Sequence, residues 1–273
     1  MRGAFLLAGV LATSALPTHA RELRVCADPN NLPFSNDKGE GFENKVIDLI
    51  GKDLGATVTY TWWAQRRGYV RNTLNSIKCD LWPGVASTVG TLATTHPYYG
   101  STYVFVTRPD RGLDIASFDD PRLKELRIGL QMIGNDAMNT PPAHALARRG
   151  ITQNVRGYMV YGDYSRANPT AGIIDAVANR EIDIAIVWGP IAGYFGERQS
   201  PALVLRPVTA AVDGPQWPMQ FDISMGVRHN DEDFRREIEA ALARNRIAID
   251  KILADYGVPR VAPPAQTGAI DRP

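Results

Sequence analysis

The side chains in this sequence that could do covalent or proton chemistry are few and scattered. Cys26 and Cys79 are its two cysteines; no CxxC occurs and no histidine stands beside either, so thiol catalysis is not indicated. His96, His144 and His229 stand singly, and His19 belongs to the N-terminal leader considered below. No grouping of His, Cys, Asp and Glu has metal-ligand spacing, and GxSxG, GxxxxGK[ST], HExxH and GxGxxG are all absent. One acid–base pair can be offered, Asp28 with Asp136, and helix capping is the plainer reading of each. The chain is therefore expected to be no enzyme, with no metal and no cofactor.

What remains is recognition chemistry. Phe34, Trp63, Trp82, Tyr161, Tyr164 and Trp188 all fall at or beside predicted strand ends, where rings suit a large, weakly polar ligand or a protruding peptide segment. For each, packing beneath its loop is the competing reading. Arg66 and Arg67 could meet an anionic group or simply begin a solvated helix. Asn30, Gly84 and Thr88 lie in the same loops and complete the candidate ligand-binding set with Asp28 and Asp136.

Composition narrows the partners. The 273 residues are 44% hydrophobic and 22% charged, ordinary for a globular chain. Lysine plus arginine number 30 against 29 acidic residues, a balance that leaves no basic field for nucleic acid. Met1-Arg2, the apolar run from Ala4 to Ala12 and the small-residue end Thr18-His19-Ala20 read as a secretory signal peptide cleaved after about Ala20. No later run is apolar and long enough to span a bilayer, so the expectation is a periplasmic protein without stable membrane insertion. In an oxidising compartment Cys26 and Cys79 can pair, closing a loop of about fifty residues and contributing roughly 3–4 kcal/mol. Two buried free thiols are the other reading.

The elements that must position these residues follow from periodicity. Residues 23–84 read as β-α-β-α-β: a strand at 23–28, a helix with Phe42, Val46, Leu49, Ile50 and Leu54 on one face, a strand at 57–63, a helix marked by Val70, Leu74 and Ile77, and a strand at 79–82 stopped by Pro83-Gly84. The same order recurs with strands at 126–130, 155–160 and 182–187. Extended segments at 103–107 and 203–208 lead into and out of this second unit. A strand at 221–227 and one long helix, capped by Asn230 and ended by Gly257 and Pro259, complete the chain. The expected division is a signal peptide at 1–20, a first lobe at 21–107 plus 208–261, an inserted second lobe at 108–207, and a loose tail at 262–273. Two α/β lobes joined by two crossing strands would face each other across a cleft lined by loops at the carboxyl ends of their strands.

This order, with TTHPYYGSTYVFVTR at 94–108, resembles the type II periplasmic binding proteins, which include the amino-acid receptors of ABC transporters. A narrower resemblance rests on LRVCADPNNLPFSN (23–36), GFENKVIDLIGKDLGATVTYTWWAQRRGYVRNTL (41–74), KCD (78–80) and DIAIVWGPIAGYF (183–195). These segments resemble the quinoprotein-dehydrogenase-associated binding proteins of the MxaJ/XoxJ type, encoded beside PQQ-dependent alcohol dehydrogenases. The resemblance implies a non-catalytic periplasmic protein that serves such a dehydrogenase, assisting its maturation or activation by binding the enzyme or a ligand. The sequence departs from the pattern at Leu81-Trp82-Pro83-Gly84-Val85, where an indole stands in place of an aliphatic side chain. It departs from amino-acid receptors too: 85–95 carries no charge where they place an arginine, and Trp188 stands where they place an aspartate. A zwitterion would thus lack both partners. The alternatives are an ABC-transporter receptor for some other small organic molecule and a dehydratase-like enzyme on the same fold.

Overall fold

The computed structural model describes residues 21–134, 139–214 and 216–261; the signal peptide, Asp136 and the tail expected from sequence lie outside the described residues. The first lobe begins with β1 (Glu22–Ala27), the short β2 (Asn30–Asn31) and β3 (Ser35–Asn36), and α1 (Phe42–Asp53). Of the expected stripe, Phe42, Val46 and Ile50 are buried and Leu49 and Leu54 half-buried, with Ile47 buried beside them. Its start is tightly made. Asn44 Oδ1 accepts from the backbone N–H of both Gly41 and Asn36, each at 3.1 Å. A Cβ at Gly41 would lie 2.0 Å from the Phe34 carbonyl oxygen, so only glycine fits. β4 (Thr57–Trp62) then pairs parallel with β1, Val25 opposite Tyr60.

The next segment differs from the sequence expectation. The helix foreseen through Val70, Leu74 and Ile77 breaks into α2 (Tyr69–Asn72) and one 3-10 turn, Leu74–Ser76. Thr73 lies between them at φ −121°, and its hydroxyl donates to the Tyr69 carbonyl at 2.7 Å, replacing the helical course. Cys26 and Cys79 form a disulfide with Cα atoms 5.4 Å apart, buried among Tyr69, Leu74 and Leu92. The third strand, β5 (Trp82–Ala86), starts three residues later than the expected 79–82 and runs through Pro83 and Gly84. Proline is tolerated because the register on its partner shifts there, between Ser224 and Gly226.

After β6 (Ala93–Thr94) comes β7 (Tyr99–Thr107), buried at every residue. The second lobe follows with β8 (Ile128–Met132), α3 (Pro141–Arg148), β9 (Val155–Met159), α4 (Gly172–Ala178), β10 (Ile184–Trp188) and α5 (Gly189–Glu197). β8 pairs parallel with β9 and β10, as a β-α-β repeat requires. Alternation on β10 feeds two cores. Ile184 and Ile186 pack beneath α3 with Phe105 and Leu146, while Ala185 and Val187 pack on the α4–α5 side with Val104 and Val106.

β11 (Val204–Pro207), β12 (Val212–Asp213), β13 (Trp217–Pro218) and β14 (Gln220–Val227) lead back. β11 pairs with Val104–Thr107 of β7, so the expected exit strand stays within the second lobe. Val208 and Met219 are buried with Ile115, Phe118 and Leu123, and Asp213 bonds Arg148 and Arg149 at 2.9 and 2.8 Å. We therefore place the return to the first lobe at β14 and not at position 208. The first half of β7 pairs with β14 and the second half with β10 and β11, giving the strand order β5-β14-β7-β10-β8-β9. The expected single C-terminal helix is two, α6 (Glu232–Arg244) and α7 (Arg246–Asp255). Asn245 leaves helical geometry between them, and the N-cap position falls on Asp231, not Asn230. The break lets Ile238, Ala241 and Leu242 of one helix and Ile249 and Leu253 of the other pack on the same first-lobe core.

Candidate functional site

At the carboxyl end of β1 the chain turns through Asp28, which is 1% exposed. Its Oδ1 accepts from the Asn30 N–H at 2.9 Å, and its Oδ2 from the Gln65 N–H at 2.7 Å and from the Tyr164 hydroxyl. Tyr164 belongs to the loop after β9, so this carboxylate bridges the lobes. Burial, and then the hydrogen bond to Asp28, push the Tyr164 phenol well above its ordinary range. Two further bonds cross beside it: Asn30 Nδ2 donates to the Arg166 carbonyl at 3.0 Å and Thr170 Oγ1 to the Leu32 carbonyl at 2.8 Å.

Behind these contacts lies a cavity of about 310 Å³, lined by Asp28, Asn31, Phe34, Gln65, Tyr103, Gln131, Val160, Tyr161, Tyr164, Trp188, Ile191, Phe221 and Ile223. Trp188 is its pivot. It ends β10, begins α5, and packs against Tyr103 and Phe221 with ring centres 5.3 and 5.8 Å away. The Trp188 backbone N–H donates to Gln131 Oε1 at 2.8 Å, which fixes the Gln131 side chain at the cavity wall. The indole touches the cores of both lobes.

A smaller cavity of about 170 Å³ adjoins it, sharing Phe34, Gln65, Trp188 and Ile223 and adding Glu43, Gly84 and Tyr99. Glu43, in the first turn of α1, is 3% exposed, and its Oε2 has no hydrogen-bond partner in the protein. Burial, and then the nearby Asp28 charge, push its carboxyl up to about 8. A Cβ on residue 84 would lie 1.9 Å from Glu43 Oε1, so glycine makes room for this carboxyl.

Of the residues proposed from sequence, Asp28, Phe34, Tyr161, Tyr164 and Trp188 line the larger cavity and Gly84 the smaller. Asn30 sits at the inter-lobe contact, and the Arg66 guanidinium lies over the Tyr164 ring, 4.4 Å from its centre. Four others stand away from both cavities. Trp63 is 41% exposed with the Lys78 ammonium over its ring. Trp82 packs on Tyr69 beside the disulfide. Arg67 and Thr88 are exposed in turns. Asp136 lies outside the described residues, so the acid–base pair with Asp28 has no geometry here. Sequence reading missed Glu43, Gln65, Tyr103, Gln131 and Phe221. Among the described residues no cluster of three metal-ligating side chains exists, and no helix is long and apolar enough to cross a membrane.

No family model matches the chain. It is 32% identical over 260 residues to the protein MoxJ of Methylorubrum extorquens, covering 91% of this chain and 84% of that protein. Its fold matches the periplasmic binding protein XoxJ from Methylobacterium extorquens AM1 with a TM-score of 0.72 at 34% identity, covering 88% of this chain and all of that one. It matches MxaJ from Methlophaga aminisulfidivorans MPT with a TM-score of 0.76 at 25% identity, again over 88% of this chain and 100% of that one. The type II binding-protein architecture expected from the order of elements is thus the observed one, and the chain belongs to the MoxJ/XoxJ/MxaJ family of periplasmic binding proteins.

Proposed function

We propose that this protein is exported by a leader cleaved after about Ala20 and serves, without catalysis, a PQQ-dependent methanol or alcohol dehydrogenase. Its part is to assist maturation or activation of that enzyme by holding a segment of it, or a small ligand, in the aromatic cleft. Family membership supports the association with methanol oxidation. The observation that carries the binding role is the cavity between the lobes, with Phe34, Tyr103, Tyr161, Trp188 and Phe221 on its walls. A non-catalytic role agrees with Asp28, whose two oxygens already accept from Asn30, Gln65 and Tyr164 and so are committed to holding loops together.

The test is genetic and biochemical together. A tagged copy expressed with its own leader should co-purify from periplasmic extract with the dehydrogenase, and a deletion strain should lose most dehydrogenase activity. Re-expression of a Tyr161→Ala, Phe221→Ala double variant should restore less activity than the wild type does. Full dehydrogenase activity in the deletion strain, with no complex recovered, would sink the proposal.

A further inference from the structure

The cleft holds a charge arrangement that binding of an apolar segment leaves unexplained. Asp28 and Glu43 approach it from the end of β1 and from the first turn of α1. No lysine, arginine or histidine stands among the described residues lining either cavity. Asp28 has its donors, but Glu43 Oε2 is buried and meets none. Burial, and then the Glu43 charge, push the phenols of Tyr69, Tyr98 and Tyr99 up, and none of them bonds to Glu43 Oε2. A buried carboxyl with no protein partner is costly whether ionised or protonated, and its partner must come from whatever fills the adjoining cavity. Gly84 clears space for this group where any side chain would displace it.

We infer that the joined cavities take an ammonium group, a primary or methylated amine without a carboxylate of its own, with Glu43 and Asp28 as counter-charges and the rings of Phe34, Trp188 and Tyr103 around its carbon atoms. The proposal rests on the cleft being the binding site assigned above and adds the chemistry of its occupant. Three features select that chemistry. Two carboxyl groups, with no cation among the described lining residues and Arg66 engaged over the Tyr164 ring, disfavour anions and leave a zwitterion's carboxylate unpaired. Among the described residues no three metal-ligating side chains converge, so these cavities offer a bare metal ion no such ligand set. Aromatic walls beside carboxylates suit alkylated ammonium groups through cation–π attraction and apolar contact. The group could reach the cleft on a free amine or on a lysine side chain of a bound protein segment.

The experiment uses the purified mature protein and isothermal calorimetry with butylammonium, tetramethylammonium, butanol, butyrate and N-acetyl-lysine amide. Butylammonium, which can donate to Glu43 Oε2, should bind; tetramethylammonium, which has no N–H, should bind more weakly; butanol and butyrate should not bind. Glu43→Gln should weaken ammonium binding at least about tenfold while its unliganded melting temperature shows that it remains folded. Asp28→Asn is the second variant, with a weakening in the same direction. At pH 7, binding should release about one proton, because Glu43 is largely protonated in the free protein and ionised beside the cation. Glu43→Gln should release none. Tighter binding of the lysine amide than of butylammonium assigns the group to a protein segment, and the reverse order assigns it to a free amine. Equal binding of butanol and butylammonium, or undiminished binding by Glu43→Gln, overturns the inference. Failure of every ammonium probe while the dehydrogenase still co-purifies overturns it too, and leaves the proposed function standing.

Discussion

Glu43 is where the fold carries a visible cost. Its carboxyl titrates near 4.5 when solvated and is pushed to about 8 by burial, so the folded protein holds a proton that the unfolded chain has released. For an acid whose folded pKa is raised, stability is lost as pH climbs through the window from 4.5 to 8. Over the stretch up to pH 7 the loss from this one group is ~3 kcal/mol. Glu43→Gln removes it. Urea unfolding should show the variant gaining on the wild type by ~3 kcal/mol between pH 4.5 and 7, and levelling above pH 8. A stability difference that is flat with pH would mean Glu43 is not held protonated. Sequence could not single this residue out, because an acidic side chain in a first helical turn reads as ordinary compensation of the helix dipole. Asp28, Tyr161, Tyr164 and Trp188 stand at strand ends that meet the cavity, whereas Trp63 and Trp82, at strand ends too, are taken up by Lys78 and by Tyr69, which their sequence positions do not distinguish. Tyr103 and Phe221 were hidden for another reason: inside strands they read as core, and they are core on one side and cavity wall on the other.

Among the elements, those with long apolar stripes were legible and those set by tertiary ties were not. The course of α1 follows from Phe42, Val46 and Ile50 alone, whereas the break at Thr73 and the late start of β5 depend on what surrounds them. The disulfide closes a separation of 53 residues and fixes the end of β1 to the approach to β5. Next to it, Arg24 and Arg228 both bond Asp80, at 2.7 and 2.5 Å, and hold its carboxyl below the usual range although burial alone would raise it. Arg228 follows β14, so the clasp joins three elements. Replacing Cys26 and Cys79 together by serine should lower stability by about 3–4 kcal/mol, read as a fall in the denaturant midpoint. The cluster of Tyr69, Leu74 and Leu92 would remain, and the variant is expected to fold. An unchanged midpoint would show that this cluster alone sets the loop.

At the scale of the molecule, the repeated order of strands and helices suggests an inserted second lobe, and we place its far boundary at β14. The sequence from 208 to 219 carries no long periodic stretch, and it is the burial of Val208 and Met219 with Phe118 and Ile115, and the Asp213 ion pairs, that tie this segment to the second lobe. β7 belongs to both lobes: residues 99–102 pair with β14 and residues 103–107 with β10 and β11. Neither core can come apart without exposing part of a strand that the other needs. Scanning calorimetry should therefore give one cooperative transition, with calorimetric and van't Hoff enthalpies equal. Two resolved peaks would show that the lobes melt separately. Replacing the second lobe as a unit would cut through Tyr99–Thr107, a strand whose first half the first lobe pairs with.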